Sequence, residues 1–396
     1  MITRAISPAE KFSNLRPNPM PQPTYGILLV SFSKHSHQEH FIPLYQANPR
    51  LRIIGIADHP DIDPDLRLFN QHWARELDVP YSEELDQAIA DPAVDIVSVG
   101  CEIEKRSELI IRCAEAGKHL WIDKFPGATL AECEASASAV ERAKVQAIIP
   151  GYAYGELARQ TRMVLANGNL GKLLGVHVDV MFGKGWPRPI TQRSAFAAPN
   201  GRWKYPELKR ELLTVGAYAV GLIQECLGPI RHVVGHAGAY FFPEHAVRGC
   251  DDFGTLTLTD TEGQIATLCG GRIGVASHAQ GGPARAYLIG SKQSATIDSK
   301  KPAMDAQMRD YLAGYDYRPN PEDPMQWHGG PPVLATALAD DTTGLATGLV
   351  DLISAIDENR PPRYGVRQAR NLMEILLAGY QAVELGESVT LPVEQA

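Results

Sequence analysis

The sequence predicts an α/β domain with a parallel, doubly wound sheet, followed by an α+β domain with a large, mostly antiparallel open sheet. Up to residue 150, short continuous apolar runs alternate with helical stretches. Such runs are typical of parallel strands that are buried on both faces. Beyond Gly151, several alternating runs follow one another without helices between them, as in an antiparallel sheet with one exposed face.

Within the first domain, apolar runs at 26–30 and 51–57 flank a helical stretch and predict a βαβ unit of about thirty residues. A helix at 106–116 is followed by Gly117, a residue type that favours the left-handed conformation of a helix C-cap. Further strands are predicted at 94–99, 119–122 and 145–150. This alternation gives the domain a span of 24–150.

The second domain is predicted to span 151–366. Its strands are predicted at 174–181, 232–240, 254–259, 264–270 and 286–290. The turn Asp-Thr-Glu-Gly at 260–263 joins two of these runs as a hairpin, and one continuous helix is expected at 208–227. An N-terminal arm, 1–23, contains five prolines, and a C-terminal helix and strand occupy 367–396.

Composition argues against several classes of function. The 396 residues include 38 basic and 46 acidic ones, a net charge of −8, with no long run of either sign, so nucleic-acid binding is not expected. No segment reaches the ~18 continuous apolar residues that a membrane span needs. The six cysteines form no CxxC pair. They signal neither a zinc site nor a redox dithiol, and we expect free thiols, no bound metal and a cytoplasmic protein.

Four segments resemble those of a known family. They are Ile-Ala-Asp at 56–58, Glu-Ala-Gly-Lys-His-Leu-Trp-Ile-Asp-Lys at 115–124, Asn-Gly-Asn-Leu-Gly-Lys at 167–172, and Arg-Pro-Pro at 360–362 followed by 369–383. Together they make the chain, from about Tyr25 to Pro392, similar to the glucose–fructose oxidoreductase and inositol dehydrogenase (Gfo/Idh/MocA) family. The resemblance implies a Rossmann domain that binds a nicotinamide dinucleotide, and a second domain whose open antiparallel sheet often packs a dimer.

Asp58 ends the second predicted strand, 22 residues past Ser36. In dinucleotide folds, a carboxylate at this position accepts hydrogen bonds from the adenosine ribose and repels a 2′-phosphate. The sequence therefore predicts NAD as the cofactor, with NADP disfavoured. The alternative for Asp58 is a solvated turn residue. Cys101 and Glu102 stand where the family has Thr-Pro after the fourth strand, and the resemblance places them beside the cofactor.

The phosphate-binding loop departs from the family pattern. Where G-x-G-x-x-G is expected, the chain has Ser31, Ser33 and Ser36, so the spacing is kept but every glycine is lost. Glycines at these positions allow positive φ and a close approach of the backbone to pyrophosphate. The serine hydroxyls, the helix N-terminus and Lys34 could still bind phosphate. Equally, the pocket could be closed and the cofactor lost.

The resemblance places Lys124 between nicotinamide and substrate, where its ammonium would hydrogen-bond the reacting hydroxyl. Tyr218 stands where the family usually has histidine, and Gly216 of that pattern is kept. A phenol can exchange the substrate's proton when a nearby cation favours phenolate. The alternatives are a solvated lysine and a packing aromatic. Because Lys124 follows a strand of the first domain and Tyr218 lies on a helix of the second, the two can meet only across the cleft between the domains.

Further candidates for substrate binding lie near this pair. Thr214 replaces an acidic position of the family on the Tyr218 helix. The loop that would rim the pocket carries Trp186, Arg193, Arg202 and Lys204. They could bind hydroxyls or a carboxylate, although cations of long loops are usually solvated. His177 and Asp179 lie on one face of a strand, and we expect them to be ordinary sheet residues rather than metal ligands.

The sequence thus predicts an enzyme that moves hydride between NAD and a secondary alcohol or ketone of a sugar-like or cyclitol-like small molecule. Lys124 would orient the substrate, and Tyr218 would act as acid or base. Fold alone does not fix the reaction, and two alternatives stay open. Transient oxidation by NAD could drive elimination or glycoside cleavage without net redox, or the chain could be a non-catalytic binding protein without cofactor. Because an open sheet needs a partner to cover its apolar face, we expect a homodimer or homotetramer.

Overall fold

The computed structural model describes residues 24–33, 36–199, 209–274, 281–299 and 342–393. The first sheet is parallel throughout, with the strand order β3-β2-β1-β4-β5-β6. Its strands are β1 (Tyr25–Val30), β2 (Leu51–Ala57), β3 (Tyr81–Ser82), β4 (Ile96–Val99), β5 (His119–Ile122) and β6 (Ala147–Ile148). The helices between them are α1 (Gln38–Ala47), α2 (Pro64–Glu76), α3 (Leu85–Ala90), α4 (Ile103–Glu115) and α5 (Leu130–Ala143). Because strand order reverses direction at β1 and β4, the crevice beyond their carboxyl ends is where such sheets bind ligands.

Local signals in the sequence explain where these helices begin and end. Thr129 precedes α5, and its Oγ1 accepts a hydrogen bond from the Glu132 amide at 3.2 Å. The Glu132 carboxylate in turn accepts one from the Ala128 amide at 2.6 Å, one residue before the N-cap, so two hydrogen bonds hold the start of α5. Beyond α4, Gly117 has a φ of 72°, which confirms the predicted glycine cap.

The second sheet has seven strands in the order β12-β11-β7-β10-β9-β8-β13. Only β7 and β10 pair in parallel, and all other neighbours are antiparallel. Its strands are β7 (Leu173–Phe182), β8 (Ile230–Gly238), β9 (Phe253–Asp260), β10 (Ile265–Arg272), β11 (Ala284–Gly290), β12 (Ser294–Asp298) and β13 (Val389–Thr390). The helices are α6 (Glu156–Ala166), α7 (Glu211–Thr214), α8 (Gly216–Cys226), α9 (Pro243–Val247), α10 (Thr342–Asp357) and α11 (Val366–Leu385). The predicted fold class is confirmed.

The hairpin predicted at 260–263 joins β9 to β10. Asp260 Oδ1 accepts hydrogen bonds from the amides of Glu262 and Gln264, at 2.9 and 2.8 Å. Gly263 supplies the positive φ, 80°, that closes the turn. The residue types of this four-residue turn therefore set the register in which β9 and β10 pair.

The helix expected at 208–227 is wrong as a single element. It is divided into α7 and α8 at Val215, whose φ of −100° departs from the ideal helical value although its ψ of −43° does not. The reason is close packing against the sheet: a Cβ on Gly270 of β10 would lie 2.6 Å from the Gly216 Cα. Gly216 is the first residue of α8, so the helix is interrupted directly before this contact.

One face of the second sheet is covered by α8 and α11, and among the described residues no helix covers the other face, called the open face below. Inward side chains of the central strands, such as Val178 and Leu268, are almost fully buried. The open face carries large apolar side chains that are 40–52% exposed: Val234, Ile265, Tyr287 and Ile289. α11 also packs on α5 of the first domain, where Arg367 pairs with Glu134 and Glu141 at 2.8 Å. Within the described residues, no helix combines the length and apolarity needed to cross a bilayer.

Candidate active site

The loop after β1 begins with a residue of positive φ although it has lost the glycines of the family pattern. Ser31 has a φ of 61°, in the left-handed region that favours glycine. Its carbonyl lies so close to Gly100, after β4, that a Cβ on Gly100 would be 2.5 Å from it. The side chain between the first two serines, Phe32, is buried and stacks on Trp73 of α2 with ring centroids 5.7 Å apart. The Ser33 amide donates to the Gly100 carbonyl at 3.1 Å, which holds the loop against the end of β4.

The first turn of α1 would attract phosphate through its dipole, but it already binds a carboxylate of the protein. The His37 amide donates to Asp123 Oδ2 at 2.9 Å, and His37 Nδ1 lies 2.9 Å from Oδ1. Although burial opposes it, the attraction of His37, reinforced by Arg106, holds the pKa of Asp123 well below its usual range. The Ser36 hydroxyl lies 3.4 Å from the Gln38 amide. A pyrophosphate must therefore bind beside Asp123 or displace it.

Asp58 follows β2, as predicted, but it is fully buried rather than solvated. Its carboxylate accepts hydrogen bonds from Asn70 Nδ2 at 2.9 Å and from the Tyr81 hydroxyl at 2.8 Å. Burial raises the pKa of Asp58 to about 6, although these two hydrogen bonds oppose the rise. Ribose hydroxyls can hydrogen-bond to this carboxylate only if they replace Asn70 or Tyr81. The negative charge of the carboxylate, in contrast, acts over a longer distance.

Cys101 and Glu102 lie at the start of α4. The Cys101 side chain is fully buried, and burial raises the pKa of its thiol to about 12, so the thiol keeps its proton and packs in the core. Glu102 is the N-cap residue of α4, half-buried, and makes no side-chain capping bond. Of this pair, only Glu102 presents a side chain that a ligand in the crevice can reach.

Arg106, one turn into α4, ties the loop after β5 to the loop after β4. Its guanidinium donates to the carbonyls of Asp123, Phe125 and Cys101 at 2.9, 3.1 and 2.8 Å. It also lies 3.9 Å from the Asp123 carboxylate. Arg106 is almost completely buried, so its removal would leave these carbonyls without a donor. The position of the loop that carries Lys124 thus depends on Arg106.

Lys124 and Tyr218 meet across the cleft between the domains. Lys124 Nζ lies 3.2 Å from the Tyr218 hydroxyl oxygen and 4.6 Å from the centre of its ring. The two residues come from the loop after β5 and from α8. Both side chains are partly buried, which leaves one side of the pair open to a ligand. The geometric condition for proton exchange between them, hydrogen-bond distance, is met.

The break between α7 and α8 contributes to this geometry. Because the Tyr218 amide donates to the Val215 carbonyl at 3.1 Å, the Thr214 carbonyl is not used as its acceptor. Lys124 Nζ donates to that Thr214 carbonyl at 3.4 Å. Thr214 therefore contributes its main chain to the site, where the sequence predicted a substrate-binding residue.

Aromatic rings enclose Tyr218 on the side of the core. Tyr152 contacts it edge-on with centroids 5.3 Å apart, and Phe182 lies at 6.1 Å. Phe125, next to Lys124, stacks on Tyr152 at 6.1 Å. Low polarity on this side strengthens the attraction between ammonium and phenol oxygen relative to water.

The residues that were predicted to line the rim of the pocket differ in their exposure and contacts. Arg193 is exposed, and its guanidinium donates to the Ala239 carbonyl at 2.6 Å, so it ties the loop to the residues after β8. Trp186 is half-buried in the same loop. Lys34, Arg202, Lys204 and the arm at 1–23 lie outside the described residues.

Sequence reasoning missed Lys209, directly before α7. Burial, together with the charges of Lys124 and Arg272, lowers the pKa of Lys209 to about 8, against the attraction of Glu211. It therefore lies in the electrostatic neighbourhood of Lys124. The sequence feature that could have indicated Lys209 is Lys-Arg-Glu at 209–211, three charged residues at the start of an otherwise apolar helical segment. His37 and Asp123 were also missed, because only the fold brings the loop after β5 to the start of α1.

Comparisons with known proteins agree with this fold. Residues 25–152 match the model of an oxidoreductase family with an NAD-binding Rossmann fold. A myo-inositol dehydrogenase from Corynebacterium glutamicum ATCC 13032 superposes with a TM-score of 0.69 at 16% identity, over 93% of this chain and 99% of that one. Levoglucosan dehydrogenase, solved with NADH and levoglucosan, gives 0.68 at 16% identity, over 93% and 100%. Myo-inositol 2-dehydrogenase from Lactobacillus plantarum gives 0.67 at 16% identity, over 93% and 99%.

A search of curated proteins finds no match to the sequence. The family model and the three solved structures confirm the resemblance that the four sequence segments carry. Residues 25–152 therefore match the NAD-binding Rossmann domain of that oxidoreductase family, and the described residues share the two-domain fold of the superposed dehydrogenases.

Proposed function

We propose that the chain oxidises a secondary alcohol, or reduces the corresponding ketone, of a sugar-like or cyclitol-like substrate with NAD. The observation that carries this proposal is the 3.2 Å contact between Lys124 Nζ and the Tyr218 hydroxyl across the cleft. The names of the superposed structures, inositol and levoglucosan dehydrogenases, support a polyhydroxylated substrate.

The positive φ of Ser31 is the backbone conformation that dinucleotide-binding loops use, and the Ser33 and Ser36 hydroxyls can donate to phosphates. Asp58 would act on the adenosine ribose through the negative charge of its carboxylate. Glu102 lies at the same crevice, at the start of α4. When bound, NAD supplies the hydride acceptor for oxidation, or the donor for reduction.

In the oxidation direction, the substrate hydroxyl lies against Lys124, which donates a hydrogen bond to its oxygen. The Tyr218 phenolate accepts the hydroxyl proton while the hydrogen on the carbinol carbon leaves as hydride. The products are the ketone and a neutral Tyr218 phenol. Lys124 stabilises the negative charge on either oxygen, because one ammonium lies within hydrogen-bond distance of the phenol oxygen. The phenol then returns its proton to solvent, and the reverse sequence reduces the ketone.

A second function is favoured by one observation. Asp123 binds the first turn of α1, where a phosphate would otherwise be attracted, which suits a binding protein without cofactor. To distinguish these functions, the protein is incubated with NAD and a panel of cyclitols and sugars, and the formation of reduced nicotinamide is followed by absorbance. Net NADH formation supports the dehydrogenase. Product formation without NADH identifies elimination or glycoside cleavage, and failure to bind any dinucleotide identifies the binding protein.

We expect NAD to bind more tightly than NADP, by a factor that grows with pH. Since the pKa of Asp58 is raised to about 6, its carboxyl is mostly neutral below that pH and charged above it. Only the charged form repels a 2′-phosphate, so the preference should increase on the order of tenfold between about pH 5 and about pH 8. Titration calorimetry with both cofactors measures it.

The control for this expectation is Asp58→Asn, which keeps one acceptor oxygen of the side chain and removes the charge. The variant should keep NAD affinity and show a much flatter pH dependence, with only the ionisation of the phosphate itself remaining. Equal preference at every pH in the unmodified chain would contradict a role for Asp58 in cofactor choice.

We further propose that a second copy of the chain covers the open face of the second sheet. Val234, Ile265, Tyr287 and Ile289 expose 40–52% of their surface there, and apolar side chains of neighbouring strands are typical of an interface. Light scattering at micromolar concentration should give at least twice the mass of one chain. A monomer would contradict the proposal, and Ile289→Asp should shift the equilibrium toward monomer.

A further inference from the structure

The open face of the second sheet carries a polar cluster among its apolar side chains. Its members lie on three adjacent strands and pair across them: Asp179 of β7 faces Cys269 of β10 on one side and Arg285 of β11 on the other. His177, two residues earlier on β7, faces Thr267 of β10. Since side chains alternate along a strand, all five point away from α8 and the candidate active site.

Three of these side chains present different donor atoms at one point. The imidazole nitrogen of His177, a carboxylate oxygen of Asp179 and the thiol sulfur of Cys269 all lie within 4.8 Å of one another. The Asp179 side chain is 9% exposed and that of His177 34% exposed, so the point lies just below the surface. Ligands on a tetrahedral zinc ion at ordinary bond lengths of about 2.0–2.3 Å are separated by less than this distance.

The remaining atoms of these ligands are already held by neighbours. His177 Nδ1 lies 2.6 Å from Thr267 Oγ1, which fixes the plane of the ring. Asp179 Oδ2 accepts a hydrogen bond from Arg285 at 2.9 Å, while Oδ1 lies 2.8 Å from His177 Nε2. Metal-binding histidines and carboxylates are typically oriented in this way by hydrogen bonds to the atoms that do not bind the metal.

We propose that His177 Nε2, Asp179 Oδ1 and Cys269 Sγ bind one zinc ion, with a water molecule in the fourth position. Binding replaces the His177–Asp179 hydrogen bond by two metal–ligand bonds, and the thiol proton passes to solvent. Nitrogen and sulfur donors exclude magnesium and calcium, which prefer oxygen, and three ligands of mixed type suit zinc. The ion cross-links β7 and β10, the two central strands that pair in parallel.

The test is a zinc titration of the full chain, freed of metal with a chelator, in competition with a chromophoric zinc indicator. We expect one saturable ion per chain. Cys269→Ser and His177→Gln should each weaken zinc binding at least tenfold, since each removes a ligand. The matched controls are Cys226→Ser, the other cysteine that is not fully buried, and His236→Gln, an exposed histidine on the same sheet face. Both controls should bind zinc as the unmodified chain does.

Cobalt provides a second readout, and its spectrum in the unmodified chain already reports the ligand types. Cobalt bound at this site should show a thiolate-to-metal charge-transfer band and the visible bands of a four-coordinate ion, and Cys269→Ser should lose the charge-transfer band. No saturable binding of zinc by the unmodified chain would overturn the proposal. So would equal affinity in the ligand variants and the controls, or cobalt spectra of six oxygen ligands.

Discussion

Replacing Lys124 with methionine is expected to lower kcat/KM by about 10²–10⁴-fold on any substrate that the chain oxidises with NAD. Methionine keeps the length and apolar stem of lysine but removes the ammonium. Two interactions disappear with it: the hydrogen bond to the reacting hydroxyl and the charge 3.2 Å from the Tyr218 oxygen. Steady-state kinetics with an identified polyol measure the loss, and calorimetry measures NAD affinity separately.

The matched control for Lys124→Met is Lys105→Met. Lys105 lies on α4 and pairs with Asp61 at 2.6 Å, at the surface and away from Tyr218. Its replacement should change turnover by less than about twofold, because surface ion pairs contribute little. If Lys124→Met retained the turnover of the unmodified chain, the ammonium would have no part in the reaction, and the contact with Tyr218 would be packing.

Lys124 is also held by groups that the substrate does not touch. The Arg106 guanidinium binds the carbonyls on both sides of Lys124, those of Asp123 and Phe125. On the opposite side of the cleft, the Thr214 carbonyl accepts from Nζ because α7 ends there. The ammonium is thus positioned from both domains, so any relative motion of the domains changes its distance to Tyr218.

Patterns that repeat along the chain predicted the fold well. Continuous apolar runs identified β1, β2, β4 and β5, because strands buried on both faces need apolar side chains at every position. The turn at 260–263 predicted the hairpin of β9 and β10, because its chemistry is local. The break at Val215 was not predictable, since it results from the contact of Gly216 with Gly270, 54 residues later in the chain.

The site was predictable only in part, for the same reason. From topology, Lys124 and Tyr218 could meet only across the cleft, and the structure brings them into contact there. Asp58 was expected to be open to the crevice, but Asn70 of α2 and Tyr81 of β3 cover it. Nothing near Asp58 in the sequence indicates either partner. Likewise, the pairing of His37 with Asp123 joins two loops that are 86 residues apart.

Tyr218→Phe separates catalysis from binding more sharply than any other single change. It removes one oxygen from a ring whose contacts with Tyr152 and Phe182 should persist, so folding should be unaffected. The control is Tyr240→Phe, which removes a hydroxyl from a ring that is 56% exposed after β8 and should be neutral toward turnover.

For Tyr218→Phe we expect kcat to fall by about 10²–10⁴-fold, because hydride leaves the carbinol carbon readily only when a base removes the hydroxyl proton. KM and NAD affinity should change little, since the phenol acts in the transition state and belongs to the second domain. The double variant with Lys124→Met should be much less impaired than the product of the two single losses, because ammonium and phenolate act as one unit. Full turnover in Tyr218→Phe would make Tyr218 a packing residue, and multiplicative losses in the double variant would show that Lys124 and Tyr218 act independently.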